Sequence, residues 1–188
     1  MSTRRAFRPQ RRPIYVGCEG LSEVGYVGLL NDMVRETDAP IHVIVEELNQ
    51  GDPLSRVEMA VRRIAHHRRT RIAPVERFVL LDFDQAERDP ARAEHATRLA
   101  AANDIHIVWQ RPCFEAVLLR HIEGRATHRP LTTPLSQEAI LREWPDYRKG
   151  MTRADLAKRI DLASLTRAAN VESDLAVLLR CLGIIAAE

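Results

Sequence analysis

Phe78-Val79-Leu80-Leu81-Asp82-Phe83-Asp84 is the stretch whose reading decides the fold. Its first four residues are unbroken in hydrophobicity, as a parallel strand covered by helices on both faces should be. It then ends in two acids. A second run, Ile14-Tyr15-Val16-Gly17-Cys18-Glu19-Gly20, has the same form and ends in Glu19. Carboxylates at the C-terminal ends of buried strands line the crevice where open α/β sheets bind ligands. Acids that meet there repel one another, and a hard divalent cation with oxygen ligands relieves that repulsion. The expected chemistry is therefore Mg²⁺-dependent phosphoryl transfer.

Working outward, strand-like and helix-like segments alternate from Pro13 to about Glu123. Residues 22–35 carry Val24, Val27, Leu30, Met33 and Val34 at helical spacing, and 41–45 is a second apolar strand. Residues 53–67 place Leu54, Val57, Val61 and Ile64 on one helical face. An Ala-rich helix over 89–102 leads to a fourth strand over 105–109. Pro112 starts the next helix, since proline is tolerated at the first helical position. This order predicts βαβ crossovers and a parallel sheet with helices on both faces. Residues 124–134 form a polar connection. Residues 137–144, 153–160 and 161–182 read as helices that pack on the sheet domain, because so short a segment rarely supports a core alone. Three parts result: a flexible basic arm over 1–12, an α/β domain over 13–123 and a helical extension over 124–188.

Bulk properties set limits. The chain has 188 residues, 45% of them hydrophobic and only 5% aromatic, so aliphatic side chains fill the interior. Net charge is +2 and pI is near 8.6, which is no polycation. Of the 28 basic residues all but Lys149 and Lys158 are arginine, a planar fork suited to phosphate. The arm carries Arg4, Arg5, Arg8, Arg11 and Arg12, a source of sequence-independent phosphate affinity. Cys18, Cys113 and Cys181 are odd in number and widely spaced, which supports neither a disulfide framework nor a zinc site. With no signal-peptide pattern and no membrane-length apolar run, a reducing cytoplasm is expected.

Chemistry concentrates at three places. Glu19 precedes Gly20, which permits a tight turn, and Ser22 is a good N-cap for the helix after it. Glu23 fits best as a helix N-terminal carboxylate. Asp82 and Asp84 are two apart; in extended geometry both project to one side and can share metal. Trp109-Gln110-Arg111-Pro112-Cys113-Phe114-Glu115 closes a strand and opens a helix, offering Glu115 as a further acid and Arg111 for phosphate. Cys113 reads as a buried structural thiol. The basic run His66-His67-Arg68-Arg69-Thr70-Arg71 complements a helix C-terminus. His42, His95, His106 and His121 receive no role.

At these residues the chain resembles a known group. Glu19 in its Cys-Glu-Gly context, with Asp82-x-Asp84 after a later strand, is similar to the Toprim pattern of topoisomerases, primases and overcoming-lysogenization-defect nucleases. Within it, Cys18-Glu19-Gly20-x-x-Glu23-x-x-Tyr26, the aspartate pair, and Pro112-Cys113-Phe114-Glu115 followed by Leu118-Leu119-x-His121 resemble the RloB-like (also AbiLii-like) family of bacterial phage-defence proteins. Pro145-x-Tyr147-x-Lys149-Gly150 is similar to that family's C-terminal motif. The chain departs from the pattern at Gln110-Arg111, where the family tends to carry Asn, and at Val117, where an aromatic is usual.

The resemblance implies a Toprim-like fold and metal-dependent cleavage of nucleic-acid phosphodiesters, DNA or RNA. Asp82 and Asp84 are then Mg²⁺ (or Mn²⁺) ligands. Glu19 binds metal or transfers a proton. Glu115 and Lys149 support the metal or the transition state, and Arg111 and Arg120 contact phosphate. It also implies a partner ATPase; the chain has no P-loop of its own, because residues 17–28 lack the Gly-Lys-Ser/Thr element. A homo-oligomer is compatible with the sequence. Two other readings stand beside this one. The first is a non-catalytic module with a vestigial site that binds nucleic acid or a partner protein. The second is a DxD-type phosphatase, which usually carries its nucleophilic Asp where this chain has Glu19.

Overall fold

The computed structural model describes residues 11–37, 39–49, 51–70 and 72–186. Among them, four strands form one all-parallel sheet in the order β2-β1-β3-β4. The chain runs β1 (Arg12–Cys18), α1 (Leu21–Glu36), β2 (Ile41–Glu47), α2 (Pro53–Arg69), β3 (Glu76–Asp82), α3 (Phe83–Arg88), α4 (Pro90–Ala101), β4 (His106–Gln110) and α5 (Phe114–His121). It ends in α6 (Thr133–Glu143), α7 (Arg153–Leu156), α8 (Leu162–Ala169) and α9 (Ser173–Cys181). The α/β parallel sheet with helices on both faces is thus present as the hydrophobic pattern required.

Strand residues alternate between the two faces. Ile14, Val16, Cys18, Phe78, Leu80 and Val108 point into a core built with α1, α5 and the C-terminal helices. Tyr15, Val79, Leu81 and Ile107 point into a second core with α2 and α4. Ile140, Trp144, Leu156, Leu165 and Leu178 belong to the first core, so the C-terminal helices and the sheet share one hydrophobic cluster. Gly25 is what lets α7 approach: a Cβ there would stand 2.1 Å from the Met151 carbonyl oxygen.

Several boundaries differ from the sequence expectation. Residues 1–10 of the expected arm lie outside the described residues, whereas Arg12 already belongs to β1, its guanidinium donating to the Cys181 carbonyl at 2.6 Å. Ser22 is not the cap of α1. Gly20 caps it, with its N–H bonded to the Glu23 carboxylate at 3.2 Å, while the Ser22 hydroxyl accepts the Gly150 N–H. Pro112 does not open α5. The Arg111–Pro112 peptide is cis, and the Pro112 carbonyl accepts the N–H groups of Phe83 and Asp84, which ties it to α3; the helix starts at Phe114. The helix expected over 161–182 is broken into α8 and α9; between them Glu172 is extended and pairs with Arg120 at 2.6 Å. The helix expected over 153–160 stops at Leu156. Among the described residues no helix is long and apolar enough to cross a membrane.

Candidate acid-cluster site

β1 and β3 are neighbours at the centre of the sheet, paired in parallel with Cys18 opposite Leu80. Their C-terminal ends therefore deliver Glu19 and Asp82 side by side. One Glu19 oxygen, Oε2, accepts the Asp82 backbone N–H at 2.9 Å. The other, Oε1, accepts the Gln85 side-chain amide at 3.1 Å and faces Arg56 Nη2 at 3.2 Å. Arg56 is only 6% exposed, and it also donates to the Gln85 side chain and the Asn49 carbonyl. Its guanidinium partly neutralises Glu19 from the α2 side.

Asp82 is held from two directions. Its Oδ1 accepts the Phe114 N–H at 2.8 Å, so the first residue of α5 is anchored on the end of β3. Buried Gln110 satisfies its amide only with the nitrogen turned toward Glu23 Oε1 (3.2 Å) and Asp82 Oδ1 (3.0 Å). Gln110 pairs with Asp82 across β3 and β4, which fixes that reach.

The extended pair geometry expected for Asp82 and Asp84 does not occur. The chain enters α3 at Phe83, so Asp84 sits in a helical first turn and not on the strand. There it accepts the Thr133 hydroxyl at 2.8 Å and faces Arg88 at 3.2 Å. Its charge still reaches both Glu19 and Asp82. Glu115, buried in the first turn of α5, accepts the Tyr147 hydroxyl at 3.3 Å and faces Lys149 Nζ at 3.6 Å. Lys149 is largely exposed and close enough to Glu19 to oppose the rise in that acid's pKa.

Five carboxyl groups thus share one partly dry volume, and the raised proton affinities of Glu19, Glu23 and Asp82 show it. Burial pushes Asp82 up to about 9, with repulsion from Glu19, Glu23, Glu115 and Asp84 adding to it. Burial raises Glu23 to about 7, reinforced by Glu19 and Glu115. Glu19 is raised by burial too, against the opposing pull of Arg56 and the Asp82 N–H. The Cys113 thiol is pushed up to about 12, chiefly by burial, so it is inert as a nucleophile.

Among the described residues no three or more His, Cys, Asp or Glu side chains are arranged to hold a metal ion as they stand. The donor set nevertheless fits a hard cation, being all carboxylate oxygen. Among the described residues no cation pairs with Asp82, and its raised pKa marks a site short of positive charge.

The phosphate-side arginines lie elsewhere. Arg111 is exposed and stacks its guanidinium 3.4 Å above the Phe83 ring. Arg120, expected to contact phosphate, is 1% exposed, donates Nη2 to the Arg111 carbonyl at 2.9 Å and pairs through Nε with Glu172. Sequence reasoning missed Arg56, Gln85 and Gln110 and gave Glu23 a capping role alone. Gln110 sits directly at the end of a strand and was findable by that position; nothing local marks Arg56.

A family model described as RloB-like protein matches residues 14–176. No curated protein and no solved structure matches the chain.

Proposed function

Since the chain belongs to the RloB-like family, we propose that it is a divalent-metal-dependent nuclease that hydrolyses nucleic-acid phosphodiesters and serves in bacterial phage defence. The observation that carries this is Asp82, half-buried at the end of a central strand among Glu19, Glu23, Glu115 and Asp84, with a carboxyl raised to about 9. Like charges held this close repel one another, and a bound cation would relieve that repulsion. Glu19, Asp82 and Asp84 would hold Mg²⁺ or Mn²⁺. Such a cation, when bound, neutralises charge on the phosphate and lowers the pKa of an attacking water.

The chain's own groups do the remainder. Glu19, oriented by the Asp82 N–H and Gln85, would either ligate that cation or take the proton of the attacking water. Glu115 and Lys149 stand as a pair at the rim, where the exposed ammonium can approach phosphate oxygens as negative charge builds. Water oxygen bonds to phosphorus, the bridging P–O bond breaks, and the leaving oxygen is protonated. A cytoplasmic setting and a partner ATPase belong to the same proposal.

The test is cleavage of plasmid, linear duplex, single-stranded DNA and tRNA with Mg²⁺, Mn²⁺ or EDTA, beside an Asp82→Asn/Asp84→Asn double variant. Metal-dependent cutting lost in the variant is the expected result. A second reading, a non-catalytic binding module, is favoured by one observation: the Arg56 guanidinium already occupies the charge-neutralising position beside Glu19. Binding that persists in EDTA with no cutting under any metal would select it.

A further inference from the structure

A cavity of about 380 Å³ opens beside the acid cluster, lined by Phe83, Trp109, Arg111, Arg120, Arg129 and Leu131 among others. It shares a wall with the acids, because Phe83 lies between Asp82 and Asp84 in the chain and Pro112, also in the lining, holds the Phe83 and Asp84 N–H groups. Its chemistry is different from theirs. Phe83 and Trp109 meet edge to face with ring centroids 5.5 Å apart, and Arg111 lies flat over Phe83. Leu131 is 85% exposed at the rim, an apolar side chain with little covering it.

The polar side of the cavity is equally specific. Arg120 is 1% exposed and forms the floor: its Nη2 donates to the Arg111 carbonyl, its Nε lies 2.6 Å from the Glu172 carboxylate, and neither Nε nor Nη1 makes a well-formed hydrogen bond. A buried guanidinium N–H left unmatched is costly. The acids in the lining are mostly answered: Glu172 by Arg120 and Arg129, Asp174 by His106 and the Trp109 N–H. Arg111 remains as positive charge stacked on an aromatic face.

Stacked guanidinium and aromatic planes beside a second exposed arginine, Arg129, fit a nucleobase with its phosphate. The volume is at the small end of the roughly 300–1,000 Å³ typical of ligand pockets, room for a single nucleotide. We propose that this cavity seats one unpaired nucleotide of the substrate, its base on the Phe83–Arg111–Trp109 surface and its phosphate toward the exposed guanidinium groups of Arg111 and Arg129. A base can offer its face there only when it is not stacked within a duplex, so the preferred substrate class is single-stranded or frayed nucleic acid. This rests on the nuclease proposal for the word substrate, and on the cavity alone for the binding.

The test reads binding without turnover. Short oligothymidylate and oligouridylate, a blunt hairpin duplex and thymidine 5′-monophosphate are titrated in EDTA, following Trp109 fluorescence and oligonucleotide anisotropy. The chain's other tryptophan, Trp144, is buried away from this cavity, and Trp109→Phe serves as its control. Single strands should bind at least about tenfold tighter than the duplex, and Arg111→Ala or Trp109→Ala should each weaken them about tenfold, as loss of one stacked base does. Equal affinity for duplex and single strand overturns the proposal. So does single-strand binding unchanged in both alanine variants, with circular dichroism showing them folded. Single-strand binding with no cleavage under any metal retires the nuclease proposal and leaves this one standing. Cleavage indifferent to Arg111 and Trp109 does the reverse.

Discussion

The Glu19 carboxylate accepts the backbone N–H of Asp82 at 2.9 Å, which joins the ends of the two central strands across 63 positions of sequence. This bond sets the spacing of the acid cluster. It also means that the two acids differ in kind: Glu19 is supplied with donors and a guanidinium, whereas Asp82 is supplied with amides only. The chemistry expected of each follows from that difference.

Asp82 therefore tolerates neutralisation better than truncation. Asp82→Asn keeps an oxygen for the Phe114 N–H and should leave melting temperature in EDTA nearly unchanged. Asp82→Ala orphans that N–H and should cost about 1–3 kcal/mol in denaturant unfolding. Both should reduce cleavage by at least about a hundredfold, more than loss of a supporting partner costs. Full activity in Asp82→Asn would remove Asp82 from the site.

Rising pH should destabilise the metal-free protein. A carboxyl held at about 9 when folded, against roughly 3.9 when unfolded, keeps a proton that the unfolded chain gives up over that window. The unfolded state binds fewer protons, so stability falls as pH climbs from about 4 to 9, by up to about 1.4 kcal/mol per unit. Glu23 adds the same sense up to about 7. Mg²⁺ or Mn²⁺ should flatten the slope, and its stabilising effect should grow with pH. Thermal melts from pH 5 to 9 with EDTA or Mn²⁺ check this; parallel curves would mean that no cation meets these acids.

Arg56 offers a sharper contrast. It is buried against Glu19, so Arg56→Gln strands a carboxyl in a dry place and should cost about 3 kcal/mol, less whatever protonation of Glu19 recovers. If a cation can take over from the guanidinium, divalent metal should raise the melting temperature of this variant more than that of the natural chain. An equal response in both would show that Arg56 and metal do not compete for Glu19.

The layout of strands and helices was legible because unbroken apolar runs and helical spacing report burial directly: 78–81 and 14–17 are strand interiors, and both ends carry the acids anticipated there. What escaped was tertiary. Asp84 left the strand because the Pro112 carbonyl, distant in sequence, captures the Phe83 and Asp84 N–H groups and starts a helix. Arg56 entered the site from a helix face that reads as an ordinary amphipathic surface. Arg120 looked like a phosphate contact because sequence does not show that Glu172 pairs with it.

Gly25 and Gly28 test how tightly α7 sits on α1. A Cβ at Gly25 would collide with the Met151 carbonyl, a backbone atom that cannot swing away, whereas at Gly28 it would rest 3.5 Å from the Arg153 side chain. Gly25→Ala should destabilise by about 1–3 kcal/mol or more. Gly28→Ala should stabilise by about 0.5–1 kcal/mol, since a helical glycine is replaced by a better helix former. Denaturant unfolding decides; a neutral Gly25→Ala would mean that α7 does not pack on α1 in solution.

His121 gives the acid-side counterpart. Its Nδ1 bonds the Val117 carbonyl at 2.9 Å, which can only accept, so that nitrogen carries the proton and Nε2 takes the Tyr26 hydroxyl at 2.9 Å. Burial, with help from Arg167 and Arg120, lowers this imidazole to about 4. The unfolded chain, titrating near 6.5, binds more protons below that pH. Stability contributed by neutral His121 is then complete above about 6.5 and is lost as pH falls toward 4, on the order of 3 kcal/mol. Because Asp82 slopes the other way, the effect shows as a difference: the natural chain should outlast His121→Gln at pH 7 by more than at pH 4.5, both in EDTA. A difference that does not change with pH would mean that His121 is already charged in the folded core.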